Sequence, residues 1–419
     1  MFVAVIVQKY GGTSVGSLSR IEAVAEQVID TVRQGHQVVV VLSAMSGETN
    51  RLTALAQQLD PVPASRELDV LLATGEQVSI SLMAIALVKR GISAISLLAH
   101  QIGIKTDNHF GAARIKHVDE KRLGQALEQE QVVIVAGFQG QDRDNNITTL
   151  GRGGSDTSAV AIAVAVKAAE VQIFTDVDGV YSGDPRIIPK AKRLDAVSFS
   201  EMLEMANLGA KVLQNRAVEY AKEFDMPIRV LSSFEHGEGT LVTTSPIETL
   251  DKKSSVSAHR SVSSVVCLQK RAIASLPRLK DCEYLQLKQE LNKQGVEFTL
   301  VDPNKYQLVE VENSCDCHHF VISSDKIVCL KSILEEITSA PTSGSMRTLD
   351  GLAQISVICI EPKKQETIAS KLLSILTSAE ISTKLISTSA TACSAVIDES
   401  DLINAMRILH SGFGLDSLP

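Results

Sequence analysis

Lys9-Tyr10-Gly11-Gly12-Thr13-Ser14-Val15-Gly16-Ser17 follows directly on an apolar run and leads into a stretch of helical periodicity. A buried strand that turns through glycines into a helix lets main-chain N–H groups approach a phosphate, while Lys9 adds a fixed positive charge. The order rules out a Walker A loop, in which glycines precede a Lys-[Ser/Thr] pair, because here the lysine comes first. Taken alone, the stretch also reads as a tight strand-to-helix turn with an incidental lysine.

The pattern around it is that of an α/β protein. Near-continuous apolar runs suited to burial on both faces occur at Val3 to Gln8, Gln37 to Leu42, Ile92 to Leu98, Gln131 to Ala136, Val171 to Thr175, Ile228 to Leu231 and Thr240 to Thr243. Amphipathic stretches separate them, the rhythm of a mostly parallel sheet with helices on both faces, in three αβα layers. Ile21, Val24, Ala25, Val28, Ile29 and Val32 recur at helical spacing and stop at Gly35, a left-handed C-cap. Ser198 and Glu201 form a capping box for a helix running toward Phe224, interrupted near Asn207 to Gly209.

Length and composition agree. A chain of 419 residues exceeds one ordinary core, so two or three domains are expected. With 41 Lys and Arg against 49 Asp and Glu, the net charge is −8, which argues against a nucleic-acid partner. The opening apolar run is too short for a membrane span and lacks the flanks of a signal peptide, so no membrane association is expected. All seven cysteines lie at Cys267 or later, unlike a secreted disulfide framework, and a reducing, cytoplasmic setting follows.

A second loop, Leu150-Gly151-Arg152-Gly153-Gly154-Ser155-Asp156-Thr157-Ser158, precedes an Ala/Val-rich helix. Free N–H groups and the positive end of the helix dipole there favour an anion. Arg152 can fork onto a carboxylate, and Asp156 can organise lysines or a metal around a transferring phosphoryl group. As a lone feature it is also a plain Gly-rich turn with Ser155 or Asp156 as N-cap. Thr175-Asp176-Val177-Asp178-Gly179-Val180-Tyr181 closes another strand and continues into Asp184-Pro185-Arg186, with ligand positions that do not fit an EF-hand.

These motifs, with Glu204-Met205-Ala206-Asn207-Leu208-Gly209-Ala210-Lys211-Val212-Leu213, resemble the aspartate kinases across the first 243 residues. That resemblance implies ATP-dependent phosphorylation of the side-chain carboxylate of L-aspartate, with Mg2+ carried on the nucleotide. By motif position it implies that Lys9 stabilises the transferred phosphoryl group and Asp156 organises the catalytic lysines. It places Ser43 and Thr49 near the acceptor, Glu76 on the substrate ammonium, and Arg152, Gly153, Gly154 and Ser155 on its carboxylates. It assigns Lys9, Tyr10, Gly11, Gly12, Thr175, Asp176, Tyr181, Arg186, Lys211 and Val212 to the nucleotide. A carboxylate nucleophile is already ionised at neutral pH, so no general base is required; the task is to bring two anions together.

Beyond a Ser-rich linker at 246–262, two stretches repeat a strand-helix-strand-strand-helix order, at 263–340 and 346–419. They resemble paired ferredoxin-like ACT domains, which implies a homo-oligomer and an amino-acid effector, lysine or threonine. The Pro-Gly turn that shapes the family's effector pocket is replaced by Leu276-Pro277-Arg278 and Glu361-Pro362-Lys363. Cys315-Asp316-Cys317-His318-His319 has the wrong spacing for zinc and reads as a turn entering a strand. Two alternatives remain at this level: a catalytically silent amino-acid sensor, and a related carboxylate kinase such as a glutamate kinase.

Overall fold

The computed structural model describes residues 4–210, 212–244, 261–277, 279–294, 296, 298–301, 307–308, 317–338, 346–360 and 364–417. Spatial contacts divide the chain into two compact units, Met1–Val180 with Arg193–Ala206 and Lys211–Ser257, and Tyr181–Lys192 with Asn207–Ala210 and Ala258–Pro419. The expected linker falls almost wholly outside the described residues.

The strands of the first unit are Val5–Tyr10 (β1), Gln37–Leu42 (β2), Ala94–Leu97 (β3), Lys105–Thr106 (β4), Ile115–His117 (β5), Val132–Ala136 (β6), Gln139–Gln141 (β7), Ile147–Thr149 (β8), Glu170–Thr175 (β9), Ala196–Ser198 (β10), Ile228–Ser232 (β11) and Thr240–Thr243 (β12). Eight of them form one sheet in the order β10-β12-β11-β9-β1-β2-β6-β3. Every pairing in it is parallel except β11 with β12. This is the largely parallel α/β sheet that the apolar runs imply.

Both faces are covered. Val38, Val40 and Leu42 join a core with Ile21, Val24 and Val28 of the helix Leu18–Arg33 and with Ile80, Met83 and Leu87 of the helix Thr74–Lys89. Their neighbours Val39 and Val41 point the other way and are also fully buried, on the side where the helix Gly154–Ala165 packs. The helix Leu18–Arg33 starts where Ser17 Oγ accepts the Arg20 N–H at 3.2 Å, and Gly35 stands just beyond its end with φ +87°. The capping box also forms: the Ser198 N–H donates to Glu201 Oε2 at 2.9 Å, and the Glu201 N–H donates to Ser198 Oγ at 3.1 Å. The helical run 65–89 is long and apolar enough to cross a membrane, but half of it is buried inside the fold as a core helix. A small sheet, β5-β4-β7-β8, was not foreseen, because strands of two or three residues carry no readable alternation.

In the second unit, Val262–Pro277 (β13), Phe298–Val301 (β14), Gln307–Leu308 (β15), Cys317–Ser323 (β16), Arg347–Cys359 (β17), Thr383–Thr388 (β18) and Ala392–Asp398 (β19) form one antiparallel sheet in the order β14-β16-β13-β17-β19-β18-β15. The first strands of the two repeats, β13 and β17, pair with each other and weld the repeats together. Helices Asp281–Lys293 and Ile327–Thr338 bury Leu287, Leu291, Leu330 and Leu334 on the first repeat. Helices Gln365–Ser378 and Leu402–Gly412 bury Leu372, Leu376, Ala405 and Leu409 on the second. Each such leucine contributes about 2 kcal/mol.

Cys317 opens β16; Cys315 and Asp316, where the turn is expected, lie outside the described residues. His319 is buried, with Nδ1 at 2.8 Å from Ser275 Oγ, and His318 stacks on Tyr284. No group of three or more His, Cys, Asp or Glu among the described residues could hold a metal.

The excursion Tyr181–Lys192 interrupts the stretch expected to be wholly catalytic and groups with the second unit. Ile188 lies in the core of the second repeat, and Ser182 Oγ bonds His410 Nε2 at 2.9 Å in a buried contact. Nδ1 of His410 has no partner. Burial lowers the affinity of this ring for a proton, against a weaker opposing pull from Asp416. The unfolded chain therefore takes up that proton first. Stability should be level above the ordinary imidazole value of about 6.5 and should fall as pH drops below it. Thermal melting of the full chain from about pH 8 to about pH 5 checks this. His410→Gln, which still offers Ser182 a partner, should shrink the fall; an unchanged slope would refute the assignment.

Candidate active site

The C-terminal ends of the parallel strands bring the two glycine loops together. Lys9 sits near the end of β1, the 43–50 segment follows β2, and the loop before Gly154 follows the strand pair β7 and β8. Between them opens a cleft of about 480 Å3, lined by Lys9, Gly11, Gly12, Ser43, Thr49, Glu76 and the Arg152–Asp156 segment. It lies wholly within the first unit.

At its centre Lys9 Nζ stands 2.7 Å from Asp156 Oδ1, an ion pair with both side chains about nine-tenths buried. That oxygen has no partner of hydrogen-bond alignment, so the contact is one of charge. Removing either member leaves the other charge uncompensated in a partly dry site. Two glycines are required for steric reasons. A Cβ on Gly12 would come within 2.9 Å of the Ala44 carbonyl oxygen, so the first loop can lie against the 43–50 segment only without a side chain there. Gly153 is the N-cap of the helix Gly154–Ala165 with φ +71°, and a Cβ there would overlap the Gln214 side chain. Arg152 is exposed at the cleft mouth, where a guanidinium can fork onto a carboxylate.

Glu76 lies in the first turn of the helix Thr74–Lys89 and is 3% exposed, with Oε1 accepting the Ala44 N–H at 3.0 Å. Its other oxygen is buried without a partner. A carboxylate with one oxygen committed and one empty, on the wall of a cleft, fits a cation with N–H donors.

The remaining expectations divide. Thr175 ends β9 and Asp176 follows it, both outside the cleft, with Thr175 Oγ1 donating to Asp176 Oδ1 at 3.0 Å. The Thr175 carbonyl accepts from Ser233, whose hydroxyl takes a bond from Ser14 of the first loop at 2.9 Å, so this strand end is tied to the glycine loop. The Tyr10 ring lies outside the cleft: it is fully buried, stacks on Phe174 at 4.5 Å and donates its hydroxyl to Gln8. On a strand buried on both faces the residue after Lys9 points into the core. Tyr181 and Arg186 group with the second unit, and the Arg186 guanidinium is forked onto Asp184 at 2.7 to 3.2 Å. Val212 is half-buried outside the cleft, and Lys211 lies outside the described residues.

Phe138 and Gln214 line the cleft and carried no assignment in sequence; Asn50, which ends the 43–50 stretch that resembles the family's substrate loop, lines it too. Phe138, with φ +70°, and Gln214 had no motif to flag them.

Residues 4–232 match the family model described as the amino acid kinase family, and residues 355–413 match that of an ACT domain. An aspartokinase of Pseudomonas aeruginosa is 43% identical over 426 residues, covering 99% of this chain and 98% of its own. A solved aspartate kinase from Synechocystis is 37% identical with a TM-score of 0.55, covering 98% of this chain and 69% of that one. Escherichia coli aspartokinase III, solved with aspartate and ADP, shares the fold with a TM-score of 0.77 at 23% identity, over 97% of this chain and 99% of that one.

Burial pushes the Glu76 carboxyl up to about 7, against the opposing bond from Ala44. Above that pH it is ionised and can hold an ammonium; below it the charge is lost. The apparent KM of an amino-acid substrate should therefore climb, by up to about tenfold per pH unit, as pH falls below about 7. Initial rates across that range, with Glu76→Gln as comparison, decide the matter. The variant should start with a high KM and show no such climb, and an equally steep climb in it would count against Glu76.

Proposed function

The chain belongs to the amino acid kinase family and is an aspartate kinase, and we propose that the Lys9–Asp156 cleft is where it transfers the γ-phosphoryl group of ATP to the side-chain carboxylate of L-aspartate. The product is 4-phospho-L-aspartate. The observation that carries this reading is the 2.7 Å ion pair set between two glycine loops.

The reaction's difficulty is repulsion between an ionised nucleophile and a polyphosphate, and the cleft answers it with fixed cations. Asp156 holds the Lys9 ammonium in place, where it faces the phosphoryl group in flight. Arg152 and the N–H groups at Gly153 to Ser155 receive the substrate's carboxylate, while the empty oxygen of Glu76 receives its ammonium. Ser43 and Thr49 border the acceptor side of the cleft. Held at both ends, the side-chain carboxylate is aligned for in-line attack, and orientation supplies much of the rate.

The Gly11–Gly12 turn and the Thr175–Asp176 strand end serve the nucleotide in this reading. Mg2+ would enter on the phosphates of the nucleotide and supply positive charge there. A silent sensor would have no need of the Lys9–Asp156 pair, which favours the enzyme. The ACT domain at 355–413 supports control by an amino acid, lysine or threonine, and the antiparallel sheet edges of the second unit support a homo-oligomer. The reading also carries a cytoplasmic location.

Trapping the acyl phosphate with hydroxylamine tests the assignment. Wild type should give aspartyl hydroxamate dependent on ATP and Mg2+, and Lys9→Ala or Asp156→Ala should lower kcat about 100-fold or more. Product with glutamate but none with aspartate would overturn the substrate reading.

A further inference from the structure

Asp69 is the one fully buried residue of the helix Ser65–Leu72, at 1% exposure. A carboxylate in the place where a leucine would be expected must be satisfied by donors, and this one is. Oδ2 accepts the Thr149 N–H at 2.7 Å and the Gly111 N–H at 2.9 Å, and Oδ1 accepts the Thr149 hydroxyl at 2.7 Å. Burial raises its pKa and these bonds pull it back.

The bonds join three segments that converge on the cleft. Asp69 sits on the helical run that continues through Ala73 into the helix carrying Glu76. Thr149 ends β8, three residues before Arg152. Gly111 belongs to the loop that also bonds Thr149 through the Ala113 N–H, and it lies so close to Gly151 that a Cβ on Gly151 would be 2.8 Å from the Gly111 carbonyl oxygen. The register of Glu76 against Arg152 thus passes through one carboxylate that touches neither.

We propose that Asp69 is a positioning residue for the amino-acid half of the cleft, fixing the spacing between the Glu76 grip on the ammonium and the Arg152 grip on the carboxylate. The proposal rests on the roles given above to those two residues.

The test is steady-state kinetics of Asp69 and Thr149 variants in the full chain. Asp69→Ala should raise KM for aspartate about 10- to 100-fold, as expected for ångström-scale misplacement of binding groups, and leave KM for ATP within about twofold. A merely structural carboxylate would instead lower kcat through loss of active protein, leaving both KM values in place. Asp69→Asn should restore KM for aspartate, because its carbonyl can take both N–H groups while its amide donates to the Thr149 hydroxyl. Thr149→Val, which keeps the side-chain volume, should raise KM for aspartate severalfold and covers the case that Asp69→Ala fails to fold. The proposal is overturned by an unchanged aspartate KM in Thr149→Val or in a folded Asp69→Ala, by equal rises for both substrates, or by Asn behaving as Ala. Arg152→Ala separates the two claims: if it does not raise KM for aspartate, the reading of the cleft fails first.

Discussion

Repulsion between an ionised carboxylate and a polyphosphate governs the architecture of the catalytic half. Cations must be present where the two meet, and they must be immobile, since a lysine free to swing would follow whichever anion arrived first. A central strand of a parallel sheet supplies that rigidity. β1 is flanked on both sides by parallel neighbours, so the backbone beneath Lys9 is fixed by pairing with Val41 and Ile173. Asp156, from the first turn of the helix that packs on the same strand, fixes the other end of the side chain. The crevice at the carboxyl ends of the strands is then the only place in the sheet where loops from several strands can converge on it.

Much of this was legible in sequence because the physical signals were local. Gln37–Leu42 is six residues of nearly pure apolar character, and only a strand covered on both faces uses such a run economically. Gly35 and the Ser198–Glu201 pair mark helix ends by backbone sterics and reciprocal hydrogen bonds, which need no tertiary context. The glycine loops announced themselves because close approach of backbone to backbone, as at Gly12 and Ala44, excludes every side chain.

What was not legible depended on partners distant in the chain. When both faces of a strand are buried, alternation ceases to say which side a residue takes, so nothing local distinguished the Lys9 side chain, which faces the cleft, from the Tyr10 ring, which stacks on Phe174. The grouping of Tyr181–Lys192 with the second unit rests on Ile188 and on the Ser182–His410 bond, a contact across 228 positions that no spacing rule encodes. The two-residue strand β15 is too short for a pattern, yet it crosses from the first repeat to pair with β18 of the second.

Two carboxylates on one helical run show how little the residue type itself decides. Asp69 and Glu76 are seven positions apart, both nearly inaccessible, and burial raises the pKa of each. Asp69 has both oxygens occupied by three donors, so it has nothing left to offer a ligand and can only hold protein to protein. Glu76 has one oxygen occupied and one empty, and an empty buried acceptor costs on the order of 1–3 kcal/mol until something fills it. That unfilled oxygen makes Glu76 a binder and Asp69 a brace. The difference lies in donors contributed by Ala44, Gly111 and Thr149, three main-chain N–H groups and one hydroxyl whose positions exist only once the strands have paired.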